Sequence, residues 1–138
     1  MYKLIYTFSP MKAKGRKFSF ADRLRSFRYA FRGIFELISM EHNFRIHLVV
    51  LIIIIAAGII FRIELTSWFA IILISALVLV SESFNTSVEN LADAINPEPD
   101  ERIRKAKDIA AAAVLISAIA AVITGLLIFG PHLLKLID

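Results

Sequence analysis

Glu82, Asn85, Thr86, Glu89 and Asp93 follow one another near the end of a long apolar segment, and Lys107 and Asp108 come just past a short loop. Counted from Glu82, the later members of the first group stand at +3, +4, +7 and +11. At roughly 100° per residue these steps return to nearly one side of a helix, so the five residues form a polar stripe. Ser83, Phe84, Ser87 and Val88 lie elsewhere on the turn. An acid at the margin of a membrane helix is costly and marks a working position by default. With Glu41, the stripe gathers carboxylates that cannot all stay charged and unpaired beside lipid. Mg²⁺ suits them, because it binds one or two carboxylates and completes its shell with waters and substrate phosphates. Lys107 could then meet a phosphate and Asn85 could orient one. This is the equipment of phosphoryl transfer, where positioning and charge neutralisation do most of the catalysis. One of the carboxylates could take the proton of an attacking hydroxyl. A site at the water–bilayer boundary makes that hydroxyl a lipid alcohol.

The elements that must position these groups are membrane helices. The 138-residue chain is 58% apolar and has length for one domain. Its apolar runs are too long for a soluble core of this size, which indicates an all-α integral membrane fold. Three spans are expected at about 46–63, 65–92 and 108–134, the second being apolar over Leu65–Ser81 before it continues as the polar stripe. The Arg62–Thr66 link is short, so the first two spans form a hairpin, and Pro97 and Pro99 interrupt any helix between the second and third. Ahead of them, Leu24, Phe27, Phe31, Ile34, Phe35 and Ile38 recur at helical spacing with Arg23, Arg25, Arg28 and Arg32 between them. That pattern predicts an amphipathic surface helix over 20–40. Residues 1–18 are expected to form a mobile basic tail, without the apolar core of a signal peptide, and residues 19–138 one membrane domain. Ala113, Ser117, Ala121 and Gly125 recur every fourth residue, as if to let helices approach closely within the bundle or between subunits.

Charge orients the chain. The net charge of +4 conceals ten Lys/Arg against three acids in residues 1–45, and four against seven in residues 82–108. The basic arm suits an anionic membrane surface. With the N-terminus in the cytoplasm, the inner side also receives Arg102, Arg104, Lys105 and Lys107, while the outer side receives only Arg62 and Lys135. The positive-inside bias therefore places the acidic stripe at the cytoplasmic face, where ATP is, and the C-terminus outside. The absence of cysteine excludes disulfides, thiolate metal sites and Cys nucleophiles. No GxxxxGK[ST] loop and no protein-kinase motif set is present. Trp68 and Phe69 are expected as interfacial belt aromatics.

Three blocks make the chain similar to the prokaryotic diacylglycerol kinase family, which includes the undecaprenol kinases. They are Ser26-Phe27-Arg28-Tyr29-Ala30-Phe31-Arg32-Gly33, then Glu41-His42-Asn43-Phe44-Arg45-Ile46-His47, then the run from Glu82 to Asp93 followed by Lys107-Asp108. The resemblance covers about residues 20–130, and its third block, E-x-x-N-[TS]-x-x-E-x-x-x-D with a downstream K-D, is the most specific. It implies a homotrimeric helical bundle whose active sites are shared between subunits at the cytoplasmic interface. It implies Glu82 as the catalytic base, contacting substrate, and Glu41 and Glu89 as the Mg²⁺ and nucleotide carboxylates. Tyr29, Asn85, Lys107 and Asp108 fall at positions that contact or organise ATP, with adenine near Glu98–Asp100. Asn43, Arg45 and His47 fall where the lipid approaches, and Thr86 and Asp93 are motif residues of structural role. Asp22 stands about where diacylglycerol-specific members carry an Arg. The Glu-x-Asn-x-Arg-Ile-His form of the second block is closer to the undecaprenol kinases, and the acceptor stays open between the two lipids. Without the resemblance, the residues also admit a small ion- or proton-conducting oligomer or a non-catalytic assembly subunit. The first is disfavoured because the acids gather at one face, and the second leaves the stripe without a role.

Overall fold

The computed structural model describes residues 19–96 and 98–135, and the expected tail at 1–18 lies outside them, as does Pro97. Four helices make up the described chain: α1 (Phe20–Met40), α2 (His42–Ile60), α3 (Leu65–Ile95) and α4 (Glu101–Leu134), with no strand among the described residues. Two units are distinguished, one up to Ile34 and one from Phe35 onward, the boundary falling within α1. In the first unit, Phe20, Leu24, Phe27 and Phe31 are exposed apolar side chains set among Arg25, Arg28 and Arg32. This is the expected amphipathic pattern.

In the second unit, α2, α3 and α4 are each long and apolar enough to cross a membrane. All three extend past the expected spans. α2 starts at His42, α3 runs on to Ile95, and α4 begins at Glu101. Hydropathy locates the lipid-soluble part of a helix, whereas backbone hydrogen bonding continues until a cap intervenes. For α4 that cap is Asp100, whose carboxylate accepts the backbone N–H groups of Arg102 (2.7 Å) and Ile103 (3.3 Å).

α2 ends in a left-handed C-terminal cap. Arg62 N–H donates to the Ile59 carbonyl and Ile63 N–H to the Gly58 carbonyl, with Arg62 at φ 50°. These two hydrogen bonds satisfy carbonyls that the end of the helix would otherwise leave without a partner. The hairpin closes tightly at Gly58. A Cβ there would lie 2.7 Å from Trp68 Cη2 and 3.1 Å from Ile63 Cδ1. Trp68, expected as a belt aromatic, is thus a packing residue of the hairpin, while Phe69 is exposed. Ile63, Ile71 and Phe129 form a buried apolar cluster against which Ile54, Ala57, Phe61, Trp68 and Ile128 pack.

α3 packs mainly along α4. Its buried and half-buried positions include Ile71, Ser75, Val78, Glu82, Asn85, Glu89 and Ala92; those of α4 include Lys107, Ala110, Val114, Ser117, Ala121, Thr124 and Ile128. Both series alternate steps of four and three residues, the seven-residue repeat of left-handed helix packing. The four-residue stripe departs from this. Each step of four advances roughly 40° around a helix, so Ser117 is buried while Ala113 is exposed, and a Cβ on Gly125 would meet nothing within 4 Å.

Candidate active site

From Leu65 to Glu82 the helix climbs about 26 Å, close to the roughly 30 Å thickness of a bilayer core. Glu82 thus stands nearly one bilayer-core thickness along α3 from its first residue, on the seam that Ile71 and Val78 share. It is 2% exposed, Asn85 6% and Thr86 7%. A face that is apolar for its first turns becomes polar without leaving the protein interior.

α2 brings its entry residues to the same place. Glu41, His47 and Glu89, together with the Asn43 side chain, are close enough to act on the charge of Glu82. Arg45 contacts the His42 ring at 2.7 Å rather than pairing with Glu41. Asn85 Nδ2 donates to Glu89 Oε1 at 3.0 Å, whereas Asn85 Oδ1 is buried with no hydrogen-bond partner. A buried amide oxygen left this way costs stability unless something supplies a donor or a cation. Serine hydroxyls nearby need no such help: Ser83 and Ser87 donate to the carbonyls of Leu79 and Ser83.

The oxygen donors are few, and they come from the start of α2 and from α3. No group of three or more His, Cys, Asp or Glu residues among the described ones forms a closed metal cage. Glu89, with the Asn85 amide one helical turn from it, and Glu41 are the residues that could hold an ion that takes few protein ligands and keeps the rest of its shell for water and phosphate, as Mg²⁺ does.

The remaining candidates are spread out. Asp93, expected on the stripe, is exposed. Thr86, at the same place in the seven-residue repeat, is buried, but Asp93 lies in the last turn of α3, which ends at Ile95, and Ala92 takes the buried place there. Asp93 Oδ1 instead accepts from Lys107 Nζ at 2.9 Å across the α3–α4 turn. Asp108 pairs with Arg104 at 2.7 Å. An open cleft of about 600 Å³ lies at this turn, lined by Asp93, Asn96, Glu98, Asp100, Arg104 and Lys107 among others. Tyr29 lies in the first unit, exposed on α1. The Asp93–Lys107 pair was not foreseen, because the turn geometry that brings the two together has no signature in residue spacing. The Arg104–Asp108 pair has one, an i,i+4 charge pair.

The model of the prokaryotic diacylglycerol kinase family matches residues 28–129, a stretch that holds every candidate named above. The chain is 39% identical over 114 residues to a diacylglycerol kinase of Synechocystis, covering 82% of this chain. It is 34% identical over 109 residues to an undecaprenol kinase of Bacillus subtilis, covering 79% of this chain and 89% of that protein. The chain belongs to the prokaryotic diacylglycerol kinase family. Its match spans 65% of the Synechocystis protein's own length. Membership bears out the expected resemblance to that family.

Proposed function

We propose that this protein is an ATP- and Mg²⁺-dependent lipid kinase. It transfers the γ-phosphate to the hydroxyl of a membrane lipid alcohol, diacylglycerol or undecaprenol, at the cytoplasmic face of the bacterial inner membrane. The active unit is a homotrimer, with the N-terminus inside and the C-terminus outside. The observation that carries this reading is Glu82, a carboxylate withdrawn from water at the lipid boundary with Glu41, Asn43, His47, Asn85 and Glu89 around it. The family and the two relatives support the reaction class.

In the reaction, the lipid hydroxyl oxygen bonds to the γ-phosphorus, the bond from that phosphorus to the bridging oxygen of ADP breaks, and the hydroxyl proton passes to Glu82. Burial keeps water from competing as the acceptor. Asn43 orients the Glu82 carboxylate, and the lipid arrives along Asn43, Arg45 and His47. Glu41 and Glu89 would hold Mg²⁺, which when bound supplies neutralisation of the phosphate charge. Asn85 fixes the Glu89 carboxylate through its amide nitrogen. Lys107 meets the phosphates, while Asp108 helps hold ATP.

The test is purified protein in mixed micelles with labelled ATP and each lipid offered side by side. Label enters one or both lipids only with Mg²⁺ present, and chelation stops it. Nucleotide-independent ion flux in liposomes, with no labelled lipid, would overturn the reading.

A further inference from the structure

The cations around the α3–α4 turn are not equivalent. Arg104 and Lys105 are bound to acids of their own helix, Asp108 and Glu101, and their side chains are 62% and 64% exposed. Lys107 is 33% exposed and sits on the seam of α4 facing α3. Its partner is Asp93, fourteen residues back on the other helix, and both residues line the cleft.

We propose that Asp93 is a positioning residue for nucleotide binding, holding the Lys107 ammonium where it meets the triphosphate in that cleft. This rests on the lipid-kinase reading and assigns Asp93 a task beyond filling a motif. A lysine carries its charge on a flexible four-carbon stem and loses much freedom when a ligand fixes it. A carboxylate that already pins the ammonium removes part of that cost before the nucleotide arrives. The ammonium has three donors. One stays on Asp93 Oδ1 while the other two face phosphate oxygens, so the pair need not break on binding. The alternative, a staple between helices, is a poor use of this pair, because ion pairs this exposed contribute little to stability.

The experiment compares wild type with Asp93→Asn, Asp93→Glu, Lys107→Met and the double variant Asp93→Asn/Lys107→Met, as full-length chains in micelles. We expect Asp93→Asn to raise the KM for MgATP about fivefold or more, with the KM for lipid and the melting temperature unchanged, and Asp93→Glu to recover part of it. In the Lys107→Met background, Asp93→Asn adds nothing, since Asp93 acts through Lys107. Equal losses from Asp93→Asn in both backgrounds, or a lowered melting temperature with an unchanged KM for MgATP, overturns the inference. MgATP binding by calorimetry is read in parallel. If wild type phosphorylates no lipid yet Asp93→Asn weakens MgATP binding, the kinase reading fails and the positioning role stands. If wild type binds no MgATP, both fail.

Discussion

The two ends of α3 bury the same face of one helix and fill it with opposite chemistry. At the first end, Ile71 and Trp68 sit against Gly58, Ile63 and Phe129, where no further carbon fits beside Gly58. At the other, Glu82, Asn85 and Glu89 occupy the same seam, and a buried amide oxygen is left without a partner. One end is packed for stability. The other gives up stability to keep polar atoms ready for a ligand. If that division holds, substitutions should separate: those at the polar end change turnover, and those at the apolar end change melting.

The largest expected effect is on Glu82→Gln. Turnover should fall by roughly 10²- to 10⁴-fold, the usual contribution of a positioned base. The melting temperature in micelles should hold or rise, since a buried charge is exchanged for a neutral amide of equal shape. Near-normal turnover would remove Glu82 from the base role. Gly58→Ala comes next. Its methyl would press on the Trp68 ring, costing about 1–3 kcal/mol in thermal unfolding, and a smaller residue at 68 should restore part of the loss. Turnover well below the melting point should be normal. If Gly58→Ala slows turnover as severely as Glu82→Gln, the two ends are coupled and the division is wrong.

Two smaller effects sharpen the comparison at helix ends. Asp100→Ala removes the cap of α4 and should cost about 1 kcal/mol. Because Asp100 also lines the cleft, a modest rise in the KM for MgATP should accompany it. Arg62→Gly relieves a left-handed residue and should stabilise the hairpin by up to about 1 kcal/mol, with turnover unchanged. Loss of stability there would mean that the Arg62 side chain supports the turn in a way the cap does not require.

Much of this contrast is legible in residue order. The apolar runs give the three crossing helices, and the spacing from Glu82 through Asn85 and Thr86 to Glu89 gives the buried polar face, because both depend on short-range periodicity. Asp93 escapes the same argument: Thr86 is buried seven residues earlier on the same side, and what sets Asp93 apart is its place in the last turn of α3, which residue spacing does not encode. Gly58 gives no signal at all, since its role depends on a ring ten residues away being folded back upon it. The cap at Asp100 was readable in principle from an acid placed just before a helical pattern. Hydropathy hid it by drawing attention to the lipid-soluble part of α4.

α3 is unbroken over 31 residues. Anchor and reacting group therefore belong to one rod of about 46 Å, and the depth of Glu82 is set by how that rod sits in the surrounding lipid. A thicker bilayer would draw the carboxylate beneath the headgroups, and a thinner one would tilt the rod or lift it toward the aqueous phase. Under the proposed lipid-kinase activity, acyl-chain length thereby becomes a control on catalysis, exerted through the scaffold rather than the binding pocket.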